Sequence, residues 1–393
     1  MFLRYSASEG IRLPNHHVSG AMSEREVVEG STRFFIPEQD ENSSFPPGSA
    51  AVFYNSRMRL NRDSTNYLLR QLDVSSYFDA MGASGVRGLR VAHECGIPVT
   101  INDLSPEAIA LIRRNASLYP DHDITVTEED CRAVMLRQRF DVVDLDPFGT
   151  PAPFVDIAAT SARRYLFVTA TDTAPLCGAH LKAGIRRYGA RPMNTEYHSE
   201  VGLRILLGFV LRETAKYDRG IEPLFCFARE HFVRLHLRMT GGAGRTDNAL
   251  KNIGYIHQCT ACPWRMSEAA FLPTVQECPE CGAKMSRMGP LWVGPINDPE
   301  ILSQIAADLK ADDMGESVLA RLVTLLDEEL STPAFYNYHQ LARHWHLSPS
   351  PVADVITAIR DAGYQASRTH YDGRGIKTDA PLHVLKSAIV TKK

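Results

Sequence analysis

No run of apolar residues in this chain approaches the roughly 18 needed to cross a bilayer, and Met1 to Gly30 lack the apolar core of a secretory leader. A membrane partner is therefore not expected, and a cytoplasmic location is. Nor is there an excess of charge of one sign. Lys and Arg number 43 against 46 Asp and Glu, for a formal net charge of -3. No overall field draws nucleic acid to such a protein, so any RNA contact has to come from local basic stretches. Internal repeats and low-complexity tracts are absent, which excludes solenoid and fibrous arrangements. Cysteine is sparse and uneven. Cys95, Cys131, Cys177 and Cys226 stand singly, while the other four fall in two tight pairs. That distribution suits a reducing compartment with one metal site better than a disulfide framework. Nothing in the chain calls for an obligatory protein partner.

What is present is the balance of a globular protein: 44% hydrophobic and 23% charged residues over 393 positions, enough for two or three domains. Residues 1–50 are rich in Ser, Glu, Gly and Pro and are expected to be largely loop, ending in Ser43-Ser44-Phe45-Pro46-Pro47-Gly48. From Ser76 short apolar runs alternate with helix-like segments. Strands are predicted at Tyr77 to Met81, Pro98 to Asp103, Ile124 to Val126, Phe140 to Leu145 and Tyr165 to Thr171, and helices over Val86 to Cys95 and from Ser105 toward Asn115. Such alternation predicts a parallel, doubly wound sheet. After a strand at Phe232 to Leu237, a Gly-rich stretch (Gly241, Gly242, Gly244) leads to a new module. Beyond Pro299 the pattern is helical. Tyr338 to His346 and Pro351 to Asp361, followed by Ala366 to Lys377, have a winged helix-turn-helix outline that a plain helical packing module would share.

Three constellations carry chemistry. Asp79-x-x-Gly82-x-Ser84-Gly85-x-x-Gly88 lies between a strand and a helix, where glycines let the backbone approach a ligand. The spacing is not that of the dinucleotide fingerprint. Asp103, at the end of the next strand, is placed to accept hydrogen bonds from ribose hydroxyls, so Asp79, Gly82 and Asp103 read as a nucleoside site, S-adenosylmethionine being one such ligand. The same turn would also serve helix and strand packing alone. Asp146-Pro147-Phe148-Gly149 ends the strand from Phe140 and would face the same crevice. A carboxylate there can accept the N–H of an exocyclic amine and take up proton charge as a methyl is transferred, while Phe148 offers a face to a flipped base. Asp-Pro also simply ends strands at turns. Cys259-x-x-Cys262 and Cys278-x-x-Cys281 have the spacing of a closed, structural four-thiolate zinc site rather than a redox pair.

Jointly these segments resemble the tRNA guanine-26 N2-dimethyltransferases of the archaeal type. The resemblance rests on Phe53-Tyr54-Asn55 with Asn61-Arg62-Asp63, on Gly82 to Arg90, Asn102-Asp103, Asp146 to Gly149 and Ala170 to Gly178. Arg187-Tyr188-Gly189-Ala190 and Glu200-x-x-x-Arg204-Ile205-Leu206 extend it. It covers most of the chain after about residue 25, and Met1 to about Met22 has no counterpart. The resemblance implies an α/β fold, a Rossmann-like class I methyltransferase domain with a smaller zinc-binding and helical C-terminal α+β domain that helps hold tRNA. It implies S-adenosylmethionine contacted by Arg62, Arg87, Asp103, Asp130 and Cys131, with Asp146 at the target amine, Phe148 stacking the guanine and Phe53 as a second stacking partner. Two methyl transfers, rather than one, come from the resemblance alone. The expected domains are 1–50 (extension), 51–244 (methyltransferase), 245–296 (zinc knuckles) and 297–393 (tRNA-binding). An N6-adenine methyltransferase, or a non-catalytic zinc-ribbon RNA-binding protein, are the alternative readings of the same residues.

Overall fold

The computed structural model describes residues 24–38 and 52–390; the expectations for Met1 to Met22 and for Ser43 to Gly48 lie outside the described residues. Where loop was expected, the first described residues form a hairpin, β1 (Glu24–Glu29) and β2 (Thr32–Pro37). Gly30, at φ +58°, makes its tight turn, and Phe34 and Ile36 on β2 are fully buried against the helices that follow.

After a 3-10 turn (Ser56–Met58) and α1 (Arg59–Leu69), strands and helices alternate: β3 (Tyr77–Asp79), α2 (Val86–Cys95), β4 (Val99–Asp103), α3 (Pro106–Ala116), β5 (Ile124–Glu128), α4 (Cys131–Arg137), β6 (Phe140–Leu145), α5 (Ala152–Ser161) and β7 (Ala162–Ala170). Helix ends follow the local chemistry. Gly96 closes α2 at φ +66°, and Ser105 opens α3 by accepting from the Ala108 N–H, with Pro106 in its first turn. Next come α6 (Thr173–Leu176), α7 (Leu181–Tyr188), α8 (His198–Ala215) and the long hairpin of β8 (Arg219–Arg229) and β9 (Phe232–Gly241).

Seven strands form one sheet in the order β5-β4-β3-β6-β7-β9-β8. β3 to β7 are mutually parallel, as the alternation predicted, but β9 runs antiparallel to both β7 and β8. The two-residue connection Glu230-His231 is too short to carry the chain back for a parallel pairing. Successive residues alternate between the two faces. Tyr77, Val142 and Phe167 join a core with α1 to α3, and Phe78, Val143 and Leu166 join the core on the other face with α4, α5 and α8.

Within the Gly-rich stretch that the sequence left without structure, α9 (Ala243–Leu250) begins and packs on β8. The cysteine pairs sit on a three-stranded antiparallel sheet of β10 (Ile253–Cys259), β11 (Arg265–Glu268) and β12 (Met285–Trp292). β12 lies so close on α8 that a Cβ at Gly208 would stand 3.0 Å from Leu291 Cα. α10 (Pro299–Ala311) and α11 (Val318–Glu328) bury Ile301, Ile305 and Leu322 in the core beneath α1. Only the last part of the expected 297–393 unit has its own core: β13 (Tyr336–Asn337), α12 (Tyr338–His344), α13 (Val352–Asp361), β14 (Ala366–Arg368), β15 (Gly375–Thr378) and α14 (Leu382–Ile389). In this unit a helix pair is followed by the antiparallel strands β14 and β15. Among the described residues no helix is long and apolar enough to cross a membrane.

Candidate active site

The parallel strands end together, and a cavity of about 650 Å³ opens beyond their carboxyl ends. Every residue nominated for donor binding or catalysis lines it: Arg62 and Phe53 ahead of β3, Asp79 at the end of β3 with Gly82 and Arg87 after it, Asp103, Asp130 and Cys131 at the next two strands, and Asp146 and Phe148 after β6. The topology brings these positions together, because side chains at the ends of neighbouring parallel strands converge wherever the strand order reverses.

Their local geometry differs in kind. Gly82 is required by packing, since a Cβ there would meet Ile101 Cγ2 at 2.5 Å, and the turn after it carries Ala83 at φ +48° and Gly85 at +79°. Asp103 reaches across this turn. Its Oδ2 accepts the Ala83 N–H at 2.8 Å and its Oδ1 the Ser105 N–H at 2.9 Å, which leaves one lone pair on each oxygen for a ligand. Asp130 caps α4, accepting the Arg132 N–H at 2.9 Å, and pairs with the exposed Arg132 guanidinium at 2.5 Å. Cys131 is buried, and burial pushes its thiol up to about 11, so it contributes a neutral wall rather than a nucleophile. Arg62 is held bidentately by Glu29 (2.8 and 2.5 Å), which also accepts from Tyr54 at 2.6 Å. Glu29 escaped the sequence reading because its partners lie 25 and 33 positions away.

Beneath the cavity floor lies a buried polar network that the sequence did not announce. Arg87 donates to Asp146, to Asn61 at 2.8 Å and to Thr65 at 3.3 Å, with Asp144 at 3.5 Å. Asp144 is fully buried and grips Arg234 with both oxygens, at 2.7 and 2.6 Å, while Tyr77 donates to it at 2.5 Å. Burial alone would raise Asp144, yet Arg234 and Arg87 outweigh it and hold the carboxyl well below the usual range. Asp79 is the opposite case: burial dominates and pushes it up to about 7 despite Arg87. His236, behind the same arginine, is pushed well below its usual value by burial and by Arg234. At the end of β6, then, the Asp146 carboxylate lines the cavity and is held from below by Arg87.

At the mouth the Phe148 ring is 73% exposed and meets Phe53 edge to face, centroids 4.5 Å apart at 76°. Rings in that contact leave no gap for a base, and sandwiching one requires a separation of roughly 7 Å, two van der Waals contacts. A planar ring fits between Phe148 and Phe53 only if the two part.

In the cysteine module all four Sγ atoms lie within 4.8 Å of one another, with Cys259 to Cys281 at 3.5 Å and Cys262 at 3.7 Å from both Cys278 and Cys281. Thiolates placed tetrahedrally at ~2.3 Å from zinc are roughly 3.8 Å apart, so this donor set fits the ion.

Residues 30–390 match the family model described as N2,N2-dimethylguanosine tRNA methyltransferase. Two proteins named tRNA (guanine(26)-N(2))-dimethyltransferase are similar over nearly their whole length. The one from Methanoregula boonei is 56% identical over 93% of this chain and 97% of its own, and that from Methanoculleus marisnigri 55% identical over 93% and 98%. Among solved structures, Trm1 from Pyrococcus horikoshii in complex with S-adenosyl-L-methionine is 35% identical, with a TM-score of 0.84 over 93% of this chain and 100% of that one. The chain therefore belongs to the N2,N2-dimethylguanosine tRNA methyltransferase family.

Proposed function

We propose that this protein is an S-adenosylmethionine-dependent tRNA methyltransferase that methylates the exocyclic N2 amine of guanine 26 twice, by direct in-line transfer. The observation that carries the reading is the convergence of the Gly82 turn, Asp103 and Asp146 on one crevice with an exposed aromatic at its mouth. Asp103 holds the ribose hydroxyls of the donor, with the Gly82 turn and Cys131 walling its base. Arg62 keeps its Nη1, which takes no protein acceptor among the described residues, for the donor's carboxylate. When bound, S-adenosylmethionine supplies a methyl group activated by its sulfonium. Asp146 accepts one N–H of the guanine amine, orients its lone pair toward that methyl and would receive the proton released as the C–N bond forms and the methyl–sulfur bond breaks, the neutral thioether being the leaving group. Phe148 and Phe53 fix the ring plane. Alignment of this kind can contribute roughly 7 to 11 kcal/mol of the barrier.

The same reading gives the four cysteines a structural zinc, closed because the protein supplies all four ligands. The winged C-terminal unit from Tyr336 onward takes part in holding tRNA. The test is mass spectrometry of nucleosides and mapped fragments from an unmodified tRNA transcript incubated with protein and donor, beside a transcript carrying adenosine at position 26. Dimethylguanosine at 26 in the first and no product in the second is expected. Methyladenosine, or donor binding without any product, would overturn the assignment in favour of adenine methylation or a non-catalytic role.

A further inference from the structure

We infer that the surface centred on α7, from His180 to Arg191, is a docking ridge for the phosphate backbone of the RNA substrate. The inference rests on the reading of tRNA as that substrate. Between Asp172 and Glu196 the chain holds Lys182, Arg186, Arg187 and Arg191 and no acidic residue, although its overall charge is negative. All four cations are exposed. Arg187 alone is committed, to Asp172 at 2.9 Å; Lys182, Arg186 and Arg191 form no ion pair among the described residues. The helix dipole accounts for Arg186 and Arg187 in the last turn of α7, but not for Lys182 in the first turn or Arg191 beyond the end. Cations gathered without counter-charge repel one another, and a polyanion relieves that repulsion.

The ridge is tied to the cavity mouth. Tyr188, at the end of α7, hydrogen-bonds Thr150 at 2.8 Å and Asp172 at 2.5 Å. Gly149 and Thr171 are bonded in both directions, Gly149 N–H to Thr171 Oγ1 at 2.8 Å and Thr171 N–H to Gly149 O at 2.9 Å. One bonded unit thus joins α7 to the loop that bears Phe148. Lys182 and Arg186 are four residues apart, on one face of the helix. A strand whose phosphates rest on them is held in a fixed register to Phe148, and phosphate contacts of this kind set register without reading sequence. Leu181 and Ile185, 39% and 48% exposed, lie beside them and suit contact with ribose.

The test compares two variants with the same change of charge. Lys182→Glu/Arg186→Glu reverses the ridge, and Arg139→Glu/Arg163→Glu reverses two exposed arginines at the amino-terminal ends of β6 and β7, on the far side of the sheet. Binding of an unmodified tRNA transcript is measured across a salt series, with donor binding by calorimetry as the check on folding. The ridge variant is expected to lose at least tenfold in tRNA affinity. The slope of log affinity against log salt is expected to fall by about 1.5 to 2, since each lost phosphate contact removes roughly 0.7 to 0.9 between the single-strand and duplex limits. KM for tRNA should rise while kcat at saturating tRNA stays within about twofold. Equal losses in both variants, or unchanged affinity and slope in the ridge variant, would overturn the inference. So would self-association abolished by Leu181→Ser/Ile185→Ser with tRNA affinity unaffected by the charge reversal, which would assign the face to protein. Wild-type protein that methylates no tRNA would overturn the substrate reading and the inference with it, whereas an active wild type with an unaffected ridge variant overturns the inference alone.

Discussion

Replacing Arg234 by Met tests whether the buried charges under the cavity hold the fold as well as the site. Arg234 is fully buried, and its removal strands the Asp144 carboxylate, itself fully buried, with Tyr77 and a more distant Arg87. Removing one member of a buried pair leaves an uncompensated charge at a cost of about 3 to 5 kcal/mol. The other hydrogen bonds lost are to Thr65, Thr169 and His236, and these add little. Thr65 also bonds the Asn61 carbonyl, Thr169 accepts from the Asn61 side chain, and Thr65 stands 3.2 Å from the His236 nitrogen that Arg234 vacates. A loss of about 4 kcal/mol reduces the folded-to-unfolded ratio roughly a thousandfold. For a cooperative unit of 393 residues it lowers the melting temperature by on the order of 5 °C. Urea unfolding and thermal melts followed by circular dichroism measure both. Arg234→Met/Asp144→Asn, which removes the orphaned charge, should recover about 2 kcal/mol relative to the single variant. A single variant destabilised by less than about 1 kcal/mol, or a double variant no better than the single, would refute the argument that Asp144 depends on Arg234.

Asp146→Asn is expected to lower the single-turnover rate roughly 10²- to 10⁴-fold while donor affinity stays within about threefold, and a rate within tenfold of wild type would remove Asp146 from its proposed role. Phe148→Ala should reduce kcat/KM for tRNA by roughly 5- to 150-fold, the equivalent of one lost base stack of ~1 to 3 kcal/mol, without a change in melting temperature, because the ring is largely exposed. The four-thiolate cluster predicts one zinc per chain by elemental analysis. Cys262→Ser should lose the metal and alter the fluorescence of the neighbouring Trp264, and retained stoichiometric zinc in that variant would contradict the ligand set. Stability should respond to pH through two opposing groups. His236 stays neutral when folded but takes up a proton when unfolded, so its contribution is complete above pH ~6.5 and lost as pH falls below it. Asp79 is protonated when folded and ionised when unfolded, so its contribution is lost as pH rises from ~4 through about 7. Below about pH 6.5 the two slopes oppose one another. Asp79→Asn should therefore unmask a rise of about 1.4 kcal/mol per pH unit across pH 5 to 6.5 relative to wild type, and identical pH profiles would contradict it.

Much of the site was legible in the sequence because its residues belong to local units with strong physical signatures. A strand, a glycine turn and a helix place Asp79, Gly82 and Arg87 within a few positions of one another, and the cysteine pairs carry their own ligand spacing. The start of α3 and the end of α2 were legible for the same reason, since caps act within one turn. The hairpin of β1 and β2 was hidden by composition: Ser, Glu and Gly on its exposed positions outweighed the alternation of Val27, Phe34 and Ile36 around Gly30.

By itself, then, the sequence determined the alternation of strands and helices, the four thiolates and the acid-Pro-aromatic strand end, all consequences of neighbouring residues. Only the tertiary structure decided the direction of β9, the enclosure of α10 and α11 in the main core, and the partners of the buried charges. Arg87 meets Asp146 across 59 positions, Arg234 meets Asp144 across 90, and Arg62 depends on Glu29 from a hairpin that reads as loop. Pairings of that kind follow from strand order and from the cost of leaving a buried charge alone. Both act only once the chain has closed on itself.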